Sequence, residues 1–368
     1  MTLAQCPPLE KLKDGLSGRP ALEILDRMAR AVREAGSLVI AAHVNPDGDA
    51  LGSSTALGLA LAHLGKRVRV VVSETPPEKL RSLLPAGLPE IIPDREAAMR
   101  LGPVDLCILL DTSEPERAGV FKDLFFAPGQ GRLCLDHHAC HARGLFDHQL
   151  VLTEAPATGS LVIALIERLD VPLTPAIAQA LWMAIATDTG WFRFENTTSW
   201  ALADASRLAA VGVDIPRLYR RLYEEYTVSR ARLLGGVLAR LESGLDGAFV
   251  WSSTSLREIE AQGLALGDLD GVVDHLKAIR GARVAALIVE TDKGKYMISL
   301  RATGNEPVDD GSRGDRSSRG ALEVESIARR LGGGGHLKAA GCRFSGTLEE
   351  LIATLTSTVR EKLGQGAP

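Results

Sequence analysis

Five apolar residues, Leu38-Val-Ile-Ala-Ala42, stop on His43-Val-Asn-Pro-Asp47-Gly-Asp49, and helix-spaced residues follow at once from Ala50. A run this short, rich in small and β-branched residues, reads as a buried strand. The proline and glycine behind it force a turn. Strand, acidic turn and helix together open an α/β unit. The pattern recurs: Val68–Val72 reads as a second strand, Val104–Leu110 as a third ending on Asp111, and Arg132–Leu135 as a fourth ending on Asp136-His137-His138. Continuous apolar strands alternating with helices predict a mostly parallel sheet covered on both faces. One polar strand end carries no information, because strand ends lie at the surface. Three that each supply Asp or His converge on one crevice, where open α/β sheets bind ligands.

His43 stands four residues before Asp47 and six before Asp49, so the turn offers one nitrogen and two carboxylates to a divalent cation. The competing reading is that both aspartates only cap the helix. Two further helices are expected at Thr158–Arg168 and Pro175–Ala186, the second running into Asp188-Thr-Gly190. The helix dipole disfavours an aspartate at that end, so Asp188 either meets a cation or sits there at a cost. Trp191-Phe-Arg-Phe194 beside it reads as an aromatic core edge.

At 368 residues the chain exceeds one ordinary core and predicts two domains. The expected division is a loose leader over 1–20, a catalytic α/β domain over 21–213, an arginine-rich helical linker over 214–245 and a smaller α/β domain over 246–368. Within the last, strands are expected near 248–252, 283–289, 295–303 and 342–344, with a polar loop over 305–320. Gly332–Gly335 lack the Lys-Ser/Thr of a P-loop and the preceding strand of a dinucleotide fingerprint. His336 and Lys338 follow them directly, so exposed backbone N–H groups beside two cations form a candidate phosphate cradle.

Charge excludes some functions. Lys and Arg number 42 against 46 Asp and Glu, which leaves no basic surface for duplex nucleic acid. The five cysteines are odd in number and scattered, which fits reduced thiols in the cytoplasm. No apolar run approaches a membrane span. Cys134, His137, His138, Cys140 and His141 match no usual paired zinc spacing. A Gly-x-Ser-x-Gly elbow, the mark of many serine hydrolases, is missing.

His43-Val-Asn-Pro-Asp-Gly-Asp-Ala-Leu-Gly-Ser53, Asp111-Thr-Ser113, Asp136-His-His138 and Asp188-Thr-Gly190 resemble the four metal motifs of the DHH phosphoesterase family. Ser299-Leu-Arg301 and Gly332 to Gly341 look like the domain associated with it. The match runs in order from about residue 24 to 364, nearest to the bacterial oligoribonuclease (nanoRNase) and 3′-phosphoadenosine 5′-phosphate (pAp) phosphatase branch. The loop over 305–320 and the leader are longer than the family pattern.

The resemblance implies a two-domain α/β hydrolase with its active site in the cleft between the domains. It implies two divalent cations, manganese foremost, although imidazole and carboxylate ligands also suit Zn²⁺, Co²⁺ or Mg²⁺. His43, Asp47 and Asp111 would hold one; Asp49, Asp111, His137 and Asp188 the other, with Asp111 as the bridge. Asp136 is expected to orient His137, and His138 to act as a catalytic residue on the phosphate or the leaving oxygen. Ser299, Arg301, Gly333, Gly334, Gly335 and His336 are the implied substrate contacts. The implied substrates are very short RNA oligomers, linear dinucleotides or pAp, with a homodimer left open. Alternatives within the superfamily are an exonuclease on longer single strands or a cyclic-dinucleotide phosphodiesterase. From another class comes a non-catalytic nucleotide sensor, which loss of a metal ligand would favour; none is missing.

Overall fold

The computed structural model describes residues 19–85, 87–139, 144–303, 322–336 and 338–364. Residues 1–18 of the expected leader, the 305–320 loop, Cys140 and His141 lie outside the described residues. The chain divides into two compact units, Met1–Glu225 and Tyr226–Pro368.

The first unit is built on strands β1 (Ser37–Ala41), β2 (Arg67–Val72), β3 (Glu90–Ile91), β4 (Leu106–Leu110), β5 (Gly131–Asp136) and β6 (His148–Val151). Their order is β3-β2-β1-β4-β5-β6, and every pairing is parallel. Successive strand residues feed opposite cores. Leu38, Ile40, Leu106, Ile108 and Leu135 pack with the helices Gly48–His63, Thr158–Arg168 and Pro175–Asp188. Val39, Ala41, Cys107, Leu109 and Cys134 pack with Phe121 and Phe125 on the other face. Burial on both sides is why these strands read as unbroken apolar runs.

Gly52 lets two of those helices approach closely. A Cβ there would lie 2.4 Å from the Ala180 carbonyl oxygen and 2.8 Å from the Ala184 nitrogen. This close packing carries Asp49, one turn before Gly52, toward Asp188 at the end of the facing helix.

The second unit holds strands β7 (Glu242–Gly244), β8 (Phe249–Ser255), β9 (Val284–Asp292), β10 (Lys295–Ala302), β11 (Gly334–His336) and β12 (Ala339–Ser345). Their order is β11-β12-β10-β9-β8-β7, with β8 and β9 parallel and the other pairs antiparallel. One face packs Ala286, Ile288, Ile298 and Leu300 against Leu351 and Leu355; the other packs Ala285, Leu287 and Val289 against Leu233 and Leu276.

Some elements depart from the sequence expectation. β3 and β6 are short, half-buried edge strands whose polar residues hide the apolar pattern. The stretch 214–245 is two helices, Ile215–Tyr223 and Val228–Ala239, followed by β7, and the division between the units falls between those helices. Among the described residues no helix is long and apolar enough to cross a membrane.

Candidate metal centre

The first parallel strands deliver their chemistry at their carboxyl ends. β1 ends before His43, β4 before Asp111, and β5 runs into Asp136 with His137 and His138 behind it. Asp111 sits at φ +60°, a left-handed conformation that aspartate tolerates better than most residues. Its backbone N–H donates to the Leu135 carbonyl at 3.0 Å, tying the ends of β4 and β5 together. Asp47 is the N-cap of Gly48–His63, and its Oδ1 accepts from the N–H groups of Asp49 and Ala50 at 3.0 and 3.1 Å. The cap reading of this residue therefore holds, while Asp47 also comes together with His43 and Asp111.

Both imidazoles are oriented by backbone. His43 Nδ1 lies 2.7 Å from the Val44 carbonyl oxygen, and His137 Nδ1 lies 3.2 Å from that of Ala155. With Nδ1–H donating to a carbonyl, Nε2 is the nitrogen left able to ligate a metal. His43 Nε2 stands 3.3 Å from Asp111 Oδ2. His137 Nε2 stands 3.8 Å from Asp49 Oδ2, 3.7 Å from Asp111 Oδ1 and 3.8 Å from Asp188 Oδ2. That buried nitrogen has no hydrogen-bond partner. An orphaned imidazole nitrogen facing three carboxylates fits a cation. His43, Asp47 and Asp111 form one group able to hold a metal ion, and Asp49, His137 and Asp188 form another.

Asp136 departs from its expected role. Its Oδ1 accepts from His138, from the backbone N–H at 3.0 Å and from Nδ1 at 2.8 Å, rather than from His137. The chain turns after β5 so that the second histidine folds back over the carboxylate, and Ala155 takes over the orientation of His137. Burial opposes the Asp136 carboxylate, yet hydrogen bonds from His138 and Ser113 hold its pKa below the usual value.

The carboxylates crowd each other. Burial first, then the neighbouring Asp49, holds the Asp111 pKa well above the usual carboxylate range. Burial and Asp49 likewise push Asp188 up to about 7. Burial disfavours a charged His137, but Asp49, Asp188 and Asp111 outweigh it and bring its pKa to about 9. The metal-free centre thus holds protons at neutral pH, and metal ligands must shed them. Mn²⁺ affinity is therefore expected to fall as pH drops from about 9 through 7, with protons released on binding at neutral pH. Calorimetry in buffers of different ionisation enthalpy measures that release; no release and a flat affinity across this window would sink the assignment.

Sequence reasoning missed the residues behind these ligands. Thr158 and Gly159 donate backbone N–H groups to Asp49 at 2.7 and 3.0 Å, and Ser53 Oγ donates to it at 2.8 Å. Asn196 Nδ2 donates to Asp188 Oδ2 at 2.9 Å. Glu74 accepts from the N–H of Asn45 at 2.7 Å and so pins the turn after β1. One signal was available: the helix Thr158–Arg168 begins on Ala157, which offers no side-chain cap. Its first N–H groups need an acceptor from elsewhere, and Asp49 supplies it.

In the second unit, Ser299 and Arg301 lie on β10, where alternate residues are buried and these two are partly exposed. Arg301 Nε is 3.5 Å from Asp274 Oδ1. Gly333 precedes β11, and Gly334, Gly335 and His336 form it; the His336 side chain is outside the described residues.

Residues 37–185 match the DHH family, N-terminal domain, and residues 258–364 match the DHHA1 domain. The chain is 33% identical to the bifunctional oligoribonuclease and PAP phosphatase NrnA of Thermus thermophilus over 331 residues, 89% of this chain and 90% of that protein. It is 26% identical to the protein of the same name from Bacillus subtilis, over 91% of this chain and 98% of that one. Among solved structures, an exopolyphosphatase-related protein from Bacteroides fragilis superimposes with a TM-score of 0.83 at 26% identity, covering 93% of this chain and 97% of that one.

Proposed function

The chain belongs to the DHH family, with a DHHA1 domain toward its C-terminus, and on that premise we propose that it hydrolyses very short RNA oligomers, linear dinucleotides and pAp. It is a phosphoester hydrolase. The observation that carries the finer reading is the convergence of His43, Asp47, Asp49, Asp111, His137 and Asp188 in one unit, with two imidazole Nε2 atoms directed at carboxylates. The similarity to oligoribonuclease and PAP phosphatase relatives supports the substrate class.

In this reading His43, Asp47 and Asp111 hold one Mn²⁺, and Asp49, Asp111, His137 and Asp188 hold a second. Two such cations lower the pKa of water and neutralise charge on the attacked phosphate. The protein's own residues supply the rest. Asp111 shares its two oxygens between the two groups. The Asp136 carboxylate fixes His138 Nδ1–H, so Nε2 is the nitrogen that hands a proton to the leaving oxygen. Asp136 also stabilises the imidazolium before that transfer, as a buried carboxylate does in a catalytic triad. Ser299, Arg301, the glycine N–H groups and His336 hold phosphate and orient it. The cytoplasm is the proposed setting, because five scattered cysteines, an odd number, fit reduced thiols.

Length preference should follow from composition. The net charge is −4 and only 4% of residues are aromatic, so added nucleotides find little to bind. A strand-binding channel would stack bases at about 1–3 kcal/mol each, and without one the rate should fall roughly tenfold or more between dinucleotides and oligomers of about ten. A panel of pAp, dinucleotides, a longer oligomer and pyrophosphate with Mn²⁺ tests both substrate and length. Equal rates along the series, with strong salt dependence, would point to an extended nucleic-acid groove instead.

A further inference from the structure

The five residues from Ala155 to Gly159, which follow β6 and run into the first turn of the helix Thr158–Arg168, reach four of the six candidate ligands. The Ala155 carbonyl takes His137 Nδ1 at 3.2 Å. The Pro156 carbonyl accepts from Asn196 Nδ2 at 2.9 Å, and the same amide nitrogen donates to Asp188 Oδ2 at 2.9 Å and to the Asp188 carbonyl at 3.2 Å. The N–H groups of Thr158 and Gly159 hold the two oxygens of Asp49 at 2.7 and 3.0 Å. The Thr158 hydroxyl donates to Asp111 Oδ1 at 3.0 Å.

The selectivity of this set matters. Asp49, Asp111, His137 and Asp188 are the residues assigned to one cation. His43 is instead oriented by the Val44 carbonyl, and Asp47 by N–H groups of its own helix. Even Asp111 is divided: Oδ1 faces His137 and receives Thr158, while Oδ2 faces His43. Ala155, Ala157 and Thr158 are almost fully buried, so the segment is a fixed support.

We propose that Ala155–Gly159, through the Thr158 hydroxyl and the Asn196 amide, is the common support of the cation subsite at Asp49, Asp111, His137 and Asp188, and leaves the His43–Asp47 subsite independent. Thr158 and Asn196 are then positioning residues for one of two cations. Groups that orient metal ligands cost about 10- to 100-fold in affinity when removed. The proposal rests on the two-cation reading, and its test separates the two ideas.

Mn²⁺ is titrated into the metal-free full-length protein, and unbound Mn²⁺ is followed by its paramagnetic resonance signal. Thr158→Val keeps the shape and removes the hydroxyl; Asn196→Ala removes the amide. Each should weaken one of two bound Mn²⁺ ions by about 10- to 100-fold and leave the other within about twofold. Thr158→Ser, which restores a hydroxyl, should recover the wild-type titration. Thermal unfolding of each metal-free variant shows whether it is folded, and Asn196→Ala carries the comparison if Thr158→Val is not. Equal weakening of both ions, or unchanged binding in folded Thr158→Val and Asn196→Ala, overturns the shared-support proposal while the two-cation reading stands. A wild-type protein that binds a single Mn²⁺ overturns both.

Discussion

Asp111→Asn is expected to abolish turnover and to remove bound Mn²⁺ from both subsites while the protein stays folded. Asparagine keeps the volume, tolerates the +60° φ of this position, and still accepts the Thr158 hydroxyl bond. What it loses is the charge that faces both His43 and His137. The rate loss should exceed the roughly hundred- to thousandfold cost of one missing stabilising donor, because two subsites fail together. Stability should move the opposite way. Burial and Asp49 raise the Asp111 pKa in the folded state, so ionising this group opposes folding above the ordinary carboxylate pKa, and the penalty is relieved only as pH falls. The metal-free variant is therefore expected to melt above the metal-free wild type at neutral pH. In the wild type, saturating Mn²⁺ should close that gap, since a ligand at a hundred times its dissociation constant stabilises by about 2.7 kcal/mol; in the variant it should not. A folded variant with near-normal activity in Mn²⁺ would make the bridging assignment wrong.

That opposition of stability and function explains which parts of the centre were legible in the sequence. Aspartates and histidines at strand ends break an apolar pattern, so His43, Asp111 and Asp136-His-His138 stand out at one reading. Their sequence positions say which groups are available, while hydrogen-bond partners depend on how loops fold back. Asp136 and His137 are adjacent in the chain, yet the bond goes to His138, because a turn after β5 brings the next ring over the carboxylate. Thr158, Ser53 and Asn196 are ordinary polar residues in helical or turn surroundings, and backbone carbonyls such as Ala155 carry no sequence signal at all. The fold followed the same rule: β1, β4 and β5 are buried on both faces and announce themselves, whereas β3 and β6 lie at the sheet edges and do not. The glycine segment showed the limit from the other side. Four consecutive glycines suggest a loop cradle, yet the segment contains a strand, β11, because Gly335 adopts φ +145° and lets the chain pair with β12.

Arg301→Ala and His336→Ala are expected to cost about a hundredfold or more in kcat/KM, as losses of substrate positioning can, with Mn²⁺ content unchanged. The sheet register gives the pair a physical basis. His336 pairs with Ala339 of β12, and Ala339 pairs with Arg301 of β10, so the two residues occupy one cross-strand row. Two strand spacings separate their backbones by about 10 Å, the scale of a nucleotide with phosphates on either side of its sugar. Gly335, next to His336, fixes the close approach of the two strands: a Cβ there would come within 2.6 Å of both the Ala339 carbonyl oxygen and the Ala340 Cα. The Arg301 guanidinium has Asp274 near it at 3.5 Å, a contact at the margin of an ion pair between two partly exposed groups. Such pairs contribute little, about 0–1 kcal/mol, so exchanging Asp274 for a phosphate held by two parallel charge-assisted bonds is favourable. Arg301→Lys should recover only part of the loss, because a lysine cannot present that fork. Binding energy gathered away from the scissile bond appears in kcat as well as KM when it fixes the geometry of attack. Both constants should therefore move for pAp and for dinucleotides, whereas metal titration and thermal unfolding should match the wild type. Normal kinetics in both variants would remove these residues from the substrate site and leave the second unit without its proposed role.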